Sequence, residues 1–304
     1  MTDAVAETAS AAVAERPWWL KVWQFPLVAM VVALALVIGA AMLASYLNHQ
    51  LQSSLPEWLA LPLGVALLIA LCLLVDKLAI RRLGRKRHDD LPLTGMVRDL
   101  SLGWLGGAVL ISLCVGLAAL AGAYRITGPG GTGDLLSIVF LFGIYAGFFE
   151  ELLMRGIVLR WLEEWLGSWI ALVLSSLLFG FLHASNDNAT VFSSVAIALE
   201  AGTLLGAAYM LTRSLWLAMG LHAGWNMVQA LWGVAVSGND VQGLVSARLE
   251  GPELLAGGGF GLEATLFALV VATGAGVWLL VLATRRGRIV PPFWQRKGAA
   301  ITAY

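Results

Sequence analysis

Eight separate runs of mostly apolar residues dominate this chain, at about 25–47, 58–76, 101–123, 135–159, 167–184, 191–211, 214–236 and 262–283. Each is close to the roughly 20 residues that a helix needs to cross the hydrocarbon layer of a bilayer. In lipid no water satisfies a bare N–H or C=O, so runs of this kind fold as helices that close their own hydrogen bonds. Composition agrees: 59% of the residues are hydrophobic, only 12% are charged, and the mean hydropathy is +0.82. A soluble domain is nearer a quarter charged. The expected fold is an all-α, polytopic membrane bundle of about eight transmembrane helices, embedded in the lipid bilayer. Cys72 and Cys114 both lie inside apolar runs and read as small core residues rather than a disulfide framework.

Charge orients the bundle. Lys77, Arg81, Arg82, Arg85, Lys86 and Arg87 crowd the loop after the second run, and Arg285, Arg286, Arg288, Arg296 and Lys297 follow the last. Basic loops stay cytoplasmic, so both termini and the 76–99 loop are expected inside, with only Arg125 and Arg248 outside. Beside a membrane, a basic loop sets topology and touches anionic lipid; nucleic acid is not an expected partner. Residues 1–20 read as a disordered cytoplasmic tail. The stretch 237–261, rich in Gly and charge, reads as an external cap without an assigned element.

Ionisable residues inside lipid are costly and usually face the bundle interior, which makes each one a functional candidate. "FFEELLMRG" carries Glu150, Glu151 and Arg155. Glu151 and Arg155 are four apart and share a helix face, so they can pair, whereas Glu150 points about 100° away. "LLFGFLHASN" sets Phe179 and His183 on one face, and "MGLHAGWNMVQ" does the same for His222 and Asn226. Glu200 stands in the sixth run without a cation at helical spacing, so it is expected to be protonated or hydrogen-bonded across helices.

Taken together, a carboxylate, two histidines and a carboxamide on three helices are the parts of an acid–base hydrolytic site. A Glu and a His can deprotonate a water, and a His N–H with an Asn N–H can hold an oxyanion. No Ser or Cys stands in a comparable constellation, which favours water over a covalent nucleophile. Two other readings use the same residues. Glu150, His183 and His222 could ligate zinc, although no HExxH is present. A proton-coupled transporter, or a non-catalytic scaffold or immunity protein, could also carry buried Glu and His.

"EELLMR", "FGFLH" and "HAGWN", in this order on successive segments, resemble the CPBP family of intramembrane glutamic endopeptidases, which includes the CAAX prenyl proteases and bacteriocin-processing proteins. The wording around the motifs is similar to bacterial members, and the resemblance covers roughly residues 137–237. It implies an intramembrane endopeptidase acting on a membrane-associated peptide or protein, with no cofactor and no metal, in the cytoplasmic membrane. Glu150 would be the general base, with His183 helping it to activate the water. His222 and Asn226 would form the oxyanion hole, Glu151 and Arg155 a supporting ion pair, and Phe179 a shield. The chain would then comprise the tail 1–20, helices one to three over 21–134 and a catalytic core over 135–237. An external loop with helix eight over 238–284 and a basic tail over 285–304 would complete it. With the helix bounds given above, Glu150 and His222 fall in the cytoplasmic half, whereas His183 falls near the outer end of the fifth helix.

Overall fold

A computed structural model describes residues 17–84 and 89–296. Most of the expected N-terminal tail lies outside these residues, as do Arg85, Lys86 and Arg87 of the basic loop and the end of the C-terminal tail from Lys297. The last residues assigned to the N-terminal tail already belong to a short helix, α1 (Trp18–Trp23).

The chain is a helical bundle. In order come α2 (Pro26–Gln52), α3 (Glu57–Leu78), α4 (Met96–Leu120), α5 (Leu135–Leu166), α6 (Ser168–Leu182), α7 (Val191–Thr212), α8 (Trp216–Leu231) and α9 (Leu266–Arg285). Among the described residues seven of these are long and apolar enough to cross a membrane, and the chain is an integral, multi-pass membrane protein. The exception is α8, where an eighth full span was expected. Its 16 residues reach only about 24 Å at 1.5 Å per residue. It still runs between the same two ends as its neighbours. Trp216 Nε1 donates to the Pro92 carbonyl at one end, and at the other the Trp232 carbonyl accepts from the Tyr124 hydroxyl.

Close approach of backbones fixes α8. Gly220 and Gly224 face Gly103 and Gly107 of α4, a small-xxx-small seam on both partners. A methyl group on Gly224 would stand 2.1 Å from the Trp104 carbonyl oxygen, and one on Gly107 2.2 Å from that of Leu221. Only glycine fits there. The third helix, which the motifs leave undiagnosed, therefore sets the position of the helix that carries His222 and Asn226.

The ends of the bundle differ. At one end Lys77 pairs with Asp89, Arg160 with Asp90 at 2.8 Å, and Arg213 with Glu163; Arg213 also donates to the Arg288 carbonyl. The Tyr209 hydroxyl donates to Asp90 at 2.7 Å. The described part of the basic loop and the segment after α9 thus meet on the same side. At the other end β1 (Tyr124–Pro129) pairs antiparallel with β2 (Val245–Leu249), with Arg125 opposite Arg248 and a bulge between Ile126 and Gly128. Part of the 237–261 stretch, to which no element was assigned, is therefore an ordered strand in a two-stranded ribbon. Cys72 and Cys114 are buried and free.

Candidate active site

Glu150 and Glu151 sit on a short α-helical turn, Ala146–Glu151, between two π-helical stretches of α5, Ile138–Tyr145 and Leu152–Leu159. A third π stretch, Ala198–Gly202, carries Glu200 in α7. Such widened turns leave the regular side-chain spacing and recur at functional sites.

The paired glutamates diverge as adjacent helical residues must. Glu151 is completely enclosed, whereas a third of the Glu150 side chain remains accessible. Glu151 Oε1 accepts from Arg155 Nη1 at 2.8 Å and from His222 Nδ1 at 2.9 Å. Helical spacing anticipates the first bond; the second joins α5 to α8 and leaves no trace in local sequence. Arg155 also donates through Nη2 to the carbonyls of Ala201 at 3.0 Å and Gly202 at 3.4 Å, in the π stretch of α7. Its guanidinium lies over the Phe179 ring, 4.6 Å from the centroid. One buried cation thus touches α5, α6 and α7.

Hydrogen bonding selects the tautomers. A carboxylate only accepts, so His222 Nδ1 donates to Glu151, and Nε2 stands 4.0 Å from Glu150 Oε2. A carbonyl likewise only accepts, so His183 Nδ1 donates to the Phe179 oxygen at 2.8 Å and leaves Nε2 as the nitrogen available for chemistry. Asn226 Nδ2 uses one N–H on the Phe142 carbonyl at 3.0 Å, so its second N–H remains to be placed. Phe179 meets His183 edge-on at 4.6 Å and His222 at 6.2 Å between centroids.

Two cavities meet at Phe179 and His183. The larger, about 210 Å³, is lined by Glu150, Met154, Leu182 and Asn186 together with that pair. The smaller, about 40 Å³, is lined by His222, Asn226, Glu200, Ser237 and Glu263 with the same pair. All seven residues singled out from the motifs therefore gather in one region. His183 follows the last residue of α6, so its place near the end of the fifth helix is as expected; the end of α5, expected at 159, needs correction. α5 continues to Leu166, past the bound at 159, and turns directly into α6 through Gly167, whose φ of +81° suits glycine. Glu150 lies 17 residues before that turn and His183 16 after it, so the antiparallel hairpin brings them level.

Motif reading missed three residues at this site: Ser237, Glu263 and Gln229. The signal available was a lone Glu in "FGLEA" just ahead of the last apolar run. Among the described residues no group of three His, Cys, Asp or Glu is placed to hold a metal ion, and the zinc set Glu150, His183 and His222 is not such a group.

Neither a search of the curated proteins nor one of the solved structures returns a match. A comparison with protein families does: residues 132–228 match the family described as type II CAAX prenyl endopeptidase Rce1-like. The matched segment holds Glu150, Glu151, Arg155, Phe179, His183, His222 and Asn226. The match, over residues 132–228, supports a CAAX-type intramembrane protease in general terms.

Proposed function

We propose that this protein is a glutamic-type endopeptidase that cuts a peptide bond of a membrane-associated peptide or protein with a water activated by Glu150. The observation that carries this reading is the placement of Glu150. Its Oε2 has no hydrogen-bond partner and lies 4.0 Å from His222 Nε2, and its carboxylate lines a cavity shared with His183.

In this reading Glu150 takes a proton from water while His183 Nε2 orients it. The water oxygen bonds to the carbonyl carbon, and the π pair moves to the carbonyl oxygen. The free N–H of Asn226 and, in its imidazolium form, the Nε2–H of His222 hold that oxyanion. On collapse the C–N pair leaves with the amine nitrogen, which takes the proton held by Glu150. Glu151 and Arg155 remain outside the bond changes and fix His222 and the helices around it. Phe179, whose ring meets both histidines, shields them from bulk water.

The end bearing Lys77, Arg213 and Arg288 is placed in the cytoplasm by the positive-inside rule, in a bacterial cytoplasmic membrane. The family description names prenylated CAAX substrates; a library that contains prenylated and unprenylated peptides decides whether either class is cut here.

The test of the oxyanion assignment is Asn226→Ala in nanodiscs. Removing one such donor lowers kcat by roughly 10²–10³-fold elsewhere, and the same loss with little change in KM is expected. Cleavage at the wild-type rate would refute the assignment.

A further inference from the structure

Behind His183 lies a pair of acids that the mechanism leaves unused. Glu263 comes from the turn ahead of α9 and Glu200 from the π stretch of α7. Both are buried, and both line the 40 Å³ cavity with His183.

The two are held differently. Glu263 is clamped: Ser237 donates its N–H to Oε2 and its hydroxyl to Oε1, the latter at 3.2 Å. The Ser237 carbonyl in turn accepts from Asn186 Nδ2 at 3.0 Å, three residues beyond His183. A chain of hydrogen bonds therefore runs from Glu263 through Ser237 to Asn186, which follows the turn His183–Ser185. Glu200 is the opposite case, for its buried Oε2 has no partner. Two ionised carboxylates facing one small cavity, one of them with a bare oxygen, would be costly, and a single proton between them removes most of that cost.

We propose that Glu263, sharing one proton with Glu200, is a positioning residue for the peptidase: it holds the His183 ring toward the larger cavity where Glu150 acts. This inference rests on the peptidase reading above and adds no bond-making step. The groups that face Glu263 are His183 from the end of α6, Glu200 from α7, and His222 and Gln229 from α8. Burial pushes the Glu263 carboxyl above its ordinary range, against the opposing pull of Ser237 and His183. A carboxyl in that state gives the reaction an acid limb: activity rises as Glu263 ionises.

The test uses the full chain in nanodiscs and two measurements. Infrared difference spectra read the shared proton without any need for activity. Wild type should show the carbonyl stretch of a protonated carboxyl that Glu200→Gln lacks; no difference would overturn the proposal. Peptide cleavage reads the positioning. Glu263→Gln keeps one acceptor oxygen for the Ser237 N–H, so that arm of the clamp survives. Its kcat should fall about 10- to 100-fold with KM unchanged, at or below the low end of the effect of a group that moves a proton itself. The acid limb of its pH profile should flatten, and Glu263→Asp should restore part of the rate and the limb. If Glu263→Gln cuts with wild-type kcat and pH profile while Glu150→Gln is inactive, the positioning role is wrong and the peptidase reading stands. If Glu150→Gln cuts like wild type, both fall.

Discussion

His222 Nδ1 lies 2.9 Å from Glu151 Oε1, the same oxygen that takes the Arg155 guanidinium at 2.8 Å. Glu151 is therefore less a partner of Arg155 alone than the junction through which α5 sets the ring that stands 4.0 Å from Glu150. The second acid of the motif holds a histidine, and the first keeps an unpartnered oxygen beside that ring.

Removing that junction should be costly twice over. Glu151→Ala leaves the Arg155 charge buried without its counter-ion, a loss of about 3–5 kcal/mol in comparable pairs. It also unties His222. Thermal unfolding in detergent should show a markedly lower Tm, and peptide cleavage should be lost. Glu151→Gln, which keeps an acceptor oxygen, should unfold at an intermediate temperature.

The glycine seam predicts a sharper contrast. Gly224→Ala puts a methyl group against the Trp104 carbonyl, where no flexible side chain can yield, and overpacking of this kind costs about 1–3 kcal/mol. Because α8 carries His222 and Asn226, activity should fall along with Tm. Gly116→Ala on the same α4 meets nothing within 4 Å and should leave both unchanged. Equal behaviour of the two variants would show that the seam does not position the site.

Acid stability should depend on Asp89, outside the membrane-spanning helices. Partial burial acts to raise its carboxyl, but the Lys77 ammonium and the Leu91 N–H outweigh it and hold the group below its ordinary value. A carboxyl depressed in the folded state stabilises above the unfolded pKa of about 3.9, and that stability is lost as pH falls through the folded value. Tm measured against pH should therefore drop on the acid side below about pH 4. In Asp89→Asn that drop should be shallower, with a lower Tm at neutral pH.

The order of the helices and the gathering of the motif residues in one region were legible in sequence because both depend on local spacing: length of apolar run for the one, i to i+4 faces for the other. The level of Glu150 relative to His183 was not. Arg160, Glu163 and Glu164 end the hydropathy of α5 at 159, yet Asp90 and Arg213 satisfy Arg160 and Glu163, so the helix continues another turn and more. The α8 span was overestimated for the converse reason: "SLW" and "WGVAV" are apolar enough to extend the run, but the helix they flank stops at Leu231. The ribbon of β1 and β2 joins segments more than 100 residues apart, so although "VSARL" alternates apolar and polar residues, its pairing has no local trace. The bond from Glu151 to His222 and the clamp on Glu263 are likewise tertiary, and no window of sequence contains both partners.

In the proposed reaction a water activated by Glu150, without a metal, breaks the peptide bond. The most direct measurement compares wild type with Glu150→Gln in nanodiscs against quenched fluorescent peptides, each with and without chelator. Cleavage by wild type should be indifferent to chelator and absent from Glu150→Gln. Cleavage that persists in Glu150→Gln, or that chelator abolishes and Zn²⁺ restores, would contradict it.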